Sequence, residues 1–282
     1  MMRSSSAGRA AYRLFIYAFL IFLAVLSLFP FVIMFINATR STFEIQQSGI
    51  SLIPSSYLAS NYAILTGKTF DPLKGFYNSV IISTGATVLA VYFSTLTAYA
   101  LFAYSWKLRQ AFFTVILAVM MIPAQVTSIG FYQFMYRIGM TNNHLALILP
   151  AIASPATVFF MRQYMMASLQ LELVDSARID GSGELSTFNR IVLPVMKPAM
   201  ATQAIFIFVA SWNNLFLPLI LLTDNDKYTL PIMVSLLRGD IYRTEYGAVY
   251  LGLALTVLPL FVIYFLLSKY IIAGVALGAV KG

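Results

Sequence analysis

Six long apolar runs separated by shorter polar segments make up most of the chain: residues 14–37, 76–103, 111–135, 145–161, 199–223 and 248–268. A helix rises 1.5 Å per residue, so about 20 residues cross roughly 30 Å of hydrocarbon. The pattern therefore predicts an all-α, polytopic membrane protein with six transmembrane helices. None of the six runs contains Asp, Glu, Lys, Arg or His. Pro30 interrupts the first run, and a membrane helix tolerates that as a kink. The rival reading of this run is a signal peptide, because Arg3, Arg9 and Arg13 precede it. Against that stand its length and the poor cleavage site at Asn37-Ala38-Thr39.

The polar segments divide into types. Residues 38–75 form the longest outer loop, with turn chemistry at Pro54-Ser55-Ser56 and Asp71-Pro72. A brief turn at 137–144 contains Gly139 and Asn142-Asn143, and 224–247 carries mixed charge. Residues 162–198 hold eight charges with enough apolar residues to form short helices of their own. Composition agrees: 60% of residues are hydrophobic and 10% charged, more apolar than a soluble globule of 282 residues can bury. With the N-terminus (1–13) and the tail (269–282) placed in the cytoplasm, inner segments hold eleven of the 18 basic residues and outer segments seven, which favours an N-in, C-in orientation. The formal charge of +8 is thus spread along a bilayer-facing chain, and nucleic acid is not the expected partner.

Candidate chemistry is sparse. There is no cysteine, and His144 is the one histidine, so thiol chemistry and the usual metal sites are excluded and no metal site is expected. Gly67-Lys68-Thr69 resembles the end of a P-loop, but Tyr62 stands where its first glycine belongs, so no nucleotide site is expected. Proton- or ion-coupled carriers keep ionisable groups inside the membrane for relay, and these runs have none. No catalytic residue is assigned. Uphill transport by this chain would need energy from outside.

The most informative stretch is Glu172-Leu-Val-Asp175-Ser176-Ala177-Arg-Ile-Asp180-Gly181, followed by Ile191-Val-Leu193-Pro194. Spacing predicts an amphipathic helix over 169–180 with Leu169, Leu173, Ser176 and Ala177 on one face. Asp175 and Arg178 are placed to pair at i, i+3. Gly181 and Gly183 end the helix in a sharp turn. A second short helix over 184–192 stops before Pro194, and Pro198 opens the fifth span. On composition alone the segment reads equally as an ordinary cytoplasmic loop with a helical turn.

The pattern resembles the EAA loop of ABC-transporter permeases, with Asp175-Ser176-Ala177, Gly181 and Ile191-Val192-Leu193-Pro194 at matching spacing and Asp and Ser in place of Glu and Ala. Ser211-Trp212-Asn213-Asn214 with Pro218, then Tyr228-Thr229-Leu230-Pro231, and the terminal Gly278-Ala279-Val280-Lys281-Gly282 look like the maltose-type inner permease subfamily of carbohydrate-uptake systems. The resemblance covers essentially the whole chain. It implies a type I ABC importer permease fold with its core at 74–268, in a bacterial or archaeal cytoplasmic membrane. The partners implied are a second permease subunit, a cytoplasmic ABC ATPase dimer that carries ATP and Mg, and an extracytoplasmic solute-binding protein; this chain itself binds no cofactor. The implied solute is a sugar or oligosaccharide. Carried over residue by residue, Glu172, Asp175, Ser176, Ala177, Asp180, Gly181, Ile191, Leu193 and Pro194 form the ATPase-coupling site.

Candidates for the solute path are Asn213 and Asn214, placed in an apolar helix where amides need partners, and Gln125 and Gln133. Trp212, Phe216 and Tyr132 have faces on which a sugar ring can stack, or they pack and anchor. The alternatives are an ATP-independent facilitator and a membrane-embedded lipid-modifying enzyme, for which only the segment 162–198 has clustered charge.

Overall fold

The computed structural model describes residues 6–67, 70–237 and 244–279. Arg3, Lys68, Thr69, Arg238, Arg243 and the tail motif from Val280 to Gly282 lie outside the described residues. Helices α1 (Ser6–Asn37), α2 (Thr42–Gln47) and α3 (Leu58–Thr66) are followed by α4 (Pro72–Ala103), α5 (Arg109–Met120) and α6 (Ala124–Arg137). After α7 (Leu145–Ile148) and a 3-10 turn at Leu149–Ile152 come α8 (Pro155–Ser168) and α9 (Leu171–Ile179). Helix α10 (Glu184–Thr187) runs through a π-turn at Phe188–Val192 into α11 (Leu193–Trp212). The last elements are α12 (Phe216–Leu221), α13 (Leu230–Leu236) and α14 (Tyr246–Ala279). Among the described residues there is no strand.

Five stretches are long and apolar enough to cross a membrane: Tyr12–Asn37, Pro72–Ala103, Leu145–Ser168, Glu184–Trp212 and Tyr246–Phe265. The α5–α6 pair makes a sixth only as a broken span, because the two helices meet at 103°. The run 111–135 is thus not the single helix its hydropathy suggests. Pro123 supplies the reason: it has no N–H, its ring would strike the carbonyl four residues back, and its ψ of 128° is extended.

The fifth apolar run also departs from expectation. Helix α10 does not stop before Pro194; the π-turn carries it on, and Pro198 lies inside α11. The Leu193 N–H reaches back five residues to the Phe188 carbonyl. This wider turn just ahead of Pro194 eases the crowding that proline brings to a tight helix. The helix then ends at Trp212, well short of residue 223.

The described chain forms two compact units. The first gathers residues up to 70 and residues 234–257. Side chains of α1 from 12 to 30 are exposed and almost wholly apolar, as suits contact with lipid. Beyond α1 the loop is built on Arg40, which is 5% exposed. Its guanidinium donates to Asn37 Oδ1 (3.1 Å), the Ser48 carbonyl (3.0 Å) and hydroxyl (2.7 Å), and the Glu44 carbonyl (2.8 Å). Ser41 and Glu44 form a capping box that starts α2. Asn61 Nδ2 donates to the carbonyls of Ala38 (2.8 Å) and Arg40 (2.9 Å), tying α3 to the end of α1.

The second unit comprises residues 71–233 and those from 258 on. Asp71 caps α4 by accepting the Lys74 N–H at 3.0 Å, with Pro72 in the first turn. Its main core joins Val91, Ala98 and Tyr99 of α4 to Met161 and Met165 of α8, Val174 of α9, Phe188 and Val192 of the π-turn, and Met196 and Ala199 of α11. The helices around residues 162–198 are therefore anchored in the same core as the long helices.

Candidate functional site

Helix α9 begins at Leu171 because Leu169 and Gln170 are extended, with ψ of 117° and 124°. The buried face differs from the expected one: helical spacing places Leu173 and Ser176 together with Ala177, whereas the structure buries Val174 and Ala177, at i and i+3, with Leu169 ahead of the helix, and leaves Leu173 and Ser176 outside. Leu171, Leu173, Ile179 and Leu185 are exposed apolar side chains of α9 and α10, with Ile179 at 87% and Leu185 at 65%. Ala177 gives α9 a small side chain where it lies against the body.

The helix ends in a Schellman arrangement. The Ser182 N–H donates to the Ala177 carbonyl (2.9 Å) and the Gly181 N–H to the Arg178 carbonyl (3.0 Å), while Gly181 takes a φ of +77°. Gly183, at φ −67°, needs no glycine freedom; it is the residue from which α10 starts. One glycine makes the turn, not two.

Side chains lock this turn to the end of α4. Arg178 Nε donates to Glu184 Oε1 and Nη1 to Asp175 Oδ1, each at 3.0 Å. The Tyr104 hydroxyl donates to Glu184 Oε2, and the Tyr99 hydroxyl approaches the same oxygen at 3.5 Å. The Arg178 guanidinium also lies 5.0 Å from the Tyr104 ring centroid. Hydrogen bonding to Glu184, then to Tyr104, raises the Arg178 pKa above its ordinary value. Burial and the bond to Glu184 raise that of the Tyr104 hydroxyl.

The other coupling candidates surround this turn. The Glu172 carboxylate is exposed and its carbonyl accepts the Ser176 hydroxyl at 2.7 Å. Asp180 is the exposed C-cap residue just beyond α9. Ile191 and Leu193 are half-buried and Pro194 is exposed, so these three build the exit into α11. Tyr104, and Glu184 as its partner, escaped the motif reading; they are 80 residues apart, and no local signal joins them.

The solute-path candidates fall elsewhere. Asn213 and Asn214 are not within a helix as expected but at the break between α11 and α12. Asn213 is exposed, and Asn214 Oδ1 accepts the Leu217 N–H at 3.4 Å, helping to start α12. A cavity of about 70 Å³ opens beside Asn214, lined also by Ile82, Phe131, Leu147, Pro150, Ser211 and Pro218. Gln125 and Gln133 are exposed on α6 and do not line it. Trp212 is buried between Phe208 (5.7 Å) and Phe76 (5.9 Å) and serves packing. Phe216 and Tyr132 are exposed.

Comparison with known proteins converges on one group. The profile of the family described as binding-protein-dependent transport system inner membrane component matches residues 90–276, from mid-α4 through the α9–α10 turn into α14. The arabinooligosaccharides transport system permease protein of Halalkalibacterium halodurans is 37% identical, over 93% of this chain and 94% of that protein. The lactose transport system permease protein of Rhizobium radiobacter is 36% identical, over 94% and 95%. The fold is similar to a chain in the crystal structure of a bacterial ABC transporter involved in the import of the acidic polysaccharide alginate, with a TM-score of 0.79 at 21% identity, covering 96% of this chain and 99% of that one. Broken apolar helices, a turn anchored in their core and a family match over most of the sequence agree: the chain belongs to the binding-protein-dependent transport system inner membrane component family, the non-catalytic membrane permeases of ABC importers.

Proposed function

We propose that this chain is one of two permease subunits of an ATP-driven importer for a sugar or oligosaccharide in a bacterial or archaeal cytoplasmic membrane, with both termini inside. The names of the relatives, arabinooligosaccharides and lactose among them, support the solute class. The α9–α10 turn faces the cytoplasm and receives a separate ATPase dimer, on which ATP and Mg are held. The single observation that carries this coupling role is that the turn exposes the apolar side chains Leu171, Leu173, Ile179 and Leu185 while Val174 and Phe188 fix it in the core. A partner that moves this turn moves α4, α8 and α11 with it, since Val174 and Phe188 are packed among them. Asp175, Ser176, Asp180 and Glu172 add polar groups to the turn, and Gly181 sets its angle.

The cavity beside Asn214 is smaller than the roughly 300–1,000 Å³ of ligand pockets. A second permease subunit completes the solute passage, and an extracytoplasmic binding protein delivers and selects the solute. The test is gentle-detergent isolation of the chain with its native neighbours, followed by a thermal-shift screen of sugars on the co-isolated binding protein and reconstitution with and without ATP. ATP-dependent sugar uptake by the assembly is expected. Recovery without an ATPase, or flux through the chain alone, would sink the reading in favour of a facilitator.

A further inference from the structure

Among the described residues, three basic side chains of the second unit form no ion pair. The turn from α4 to α5 carries Trp106, Lys107 and Arg109. Helix α8 brings Arg162 onto Phe113, which stands one helical turn after Arg109 on the same face of α5. The Arg162 guanidinium carbon is 4.2 Å from the Phe113 centroid, and that ring stacks on Phe159 at 6.3 Å. Among the described residues, no carboxylate pairs with Lys107, Arg109 or Arg162. Arg109 gives one N–H to the Tyr104 carbonyl at 3.2 Å. Arg162 Nε is buried and has no acceptor.

A guanidinium presents five N–H donors in a planar fork, and an aromatic face satisfies its charge only in part. Arg162 is half-buried with its Nε enclosed, so the outer N–H groups of the fork are what an oxygen-rich anion can meet. Helix α5 adds to the demand. Leu108 precedes its first turn and offers no side-chain acceptor, and although the Arg109 N–H is taken by the Trp106 carbonyl at 3.1 Å, the positive end of the helix dipole adds to the charge of Lys107 and Arg109. Trp106 and Leu108 are exposed at this level, the combination of aromatic, aliphatic and basic groups that suits a membrane boundary.

We propose that Lys107, Arg109 and Arg162 hold the phosphate of an anionic phospholipid headgroup, with Trp106 and Leu108 against its glycerol and acyl carbons. Basic pockets between membrane helices recognise such headgroups through the charge-assisted bonds that a guanidinium fork makes to phosphate. The bond from Arg109 to Tyr104 places the lipid next to the residue whose hydroxyl holds Glu184, so a bound headgroup steadies the α4 end of the coupling turn. The link to the coupling turn rests on the function proposed above; the headgroup site itself does not.

The test reads Trp106 directly. The full chain is placed in nanodiscs of phosphatidylcholine with phosphatidylglycerol, one or the other lipid brominated on its acyl chains, and tryptophan quenching is measured. The only other tryptophan, Trp212, is buried and gives a constant background. Nanodiscs present both leaflets, so an inverted topology or a failed transport assignment leaves this readout intact. Brominated phosphatidylglycerol is expected to quench more strongly at equal mole fraction. The R109Q/R162Q variant should weaken the preference about fivefold per removed charge. R109K/R162K keeps the charge without the fork and should retain more of it than R109Q/R162Q, which separates lost binding from misfolding. R190Q/K197Q removes two charges elsewhere and should leave the preference unchanged. Equal quenching by the two lipids in the unmodified chain overturns the proposal, as does an equal loss in R190Q/K197Q, which would mean diffuse surface attraction. Competition by inorganic phosphate points to a free-anion site. Unchanged quenching in R109Q/R162Q together with loss of a co-isolated protein points to a protein acceptor. Either result removes the lipid.

Discussion

Gly181 and Gly247 show how differently two glycines are required. An added Cβ at Gly181 meets nothing within 4 Å, so substitution there acts through the backbone alone, at φ +77°. A β-branched residue in that region costs about 1–2 kcal/mol, and Asn least among the others. Gly181→Val is therefore expected to reach the membrane but to lose transport and ATPase co-isolation together, while Gly181→Asn keeps both; normal transport by the Val variant would remove Gly181 as the hinge. Gly247 is the steric case: a Cβ there collides with the Arg40 carbonyl and the Asn61 amide. Gly247→Ala should lower stability by about 1–3 kcal/mol in a detergent thermal-shift assay, with the coupling turn unaffected. A third residue, Asp226, sets a pH limit. Lys74 Nζ lies 2.6 Å from its carboxylate and, as hydrogen-bond donor and cation, holds the Asp226 pKa below its ordinary 3.8. A depressed carboxylate stabilises above its unfolded value and ceases to as pH falls through the folded one. Asn78 Nδ2 closes the same clasp on the Asp226 and Tyr228 carbonyls, each at 2.9 Å. Hydrogen exchange across 223–230 should stay slow through mild acid and quicken only below the usual carboxylate range; Asp226→Asn should quicken it modestly at neutral pH, since the pair is exposed.

At the scale of elements, the α9–α10 turn acts as a unit only if its lock to α4 is intact. Tyr104→Phe removes the bond to Glu184, and Glu184→Ala removes that bond together with the one from Arg178, so the double variant should lose no more than Glu184→Ala alone. The stability change should be about 1 kcal/mol or less, because Arg178 and Glu184 are 31% and 50% exposed. The sensitive readout is coupling: ATP hydrolysed per solute imported should rise in either variant and no further in the double. Additive losses would mean that the two side chains act separately. What the sequence discloses about this element follows from how local each feature is. The Asp175–Arg178 pair and the Gly181 turn depend on neighbours three residues away and are legible. The buried face was misassigned because Ala177 pairs equally well by spacing with Leu173 at i, i+4 and with Val174 at i, i+3, and only packing against the core chooses Val174. The bond between Tyr104 and Glu184 is a tertiary fact with no sequence period. Proline shows the same limit, since Pro123 breaks its run at 103° while Pro30, Pro198 and Pro259 ride inside helices. Hydropathy is alike on both sides of each, and the difference lies in whether nearby backbone can re-pair the lost bond, as the π-turn does ahead of Pro194.

For the molecule as a whole, the spans were legible because their lack of charge extends over 17 residues or more at a time. The solute path was not, because an amide in an apolar run looks the same whether it caps a helix, meets a partner or faces a ligand. Asn214 already has a structural task in starting α12, and Asn213 has an exposed side chain beside the break. The two substitutions should therefore separate. Asn213→Ala in the assembled transporter should raise the KM for the sugar about fivefold with little change in kcat, the size of one lost neutral hydrogen bond. Asn214→Ala should also lower thermal stability, because the first turn of α12 loses an acceptor and the adjacent cavity grows. If neither variant changes KM, the pair has no contact with solute and the passage lies nearer the second subunit. If Asn213→Ala lowers kcat and KM is untouched, the break between α11 and α12 is a moving part of the permease and not a binding surface. The isolated chain should show no sugar-dependent thermal shift in any of these forms, since a cavity of about 70 Å³ lacks the room for a sugar ring until the partner closes the other side.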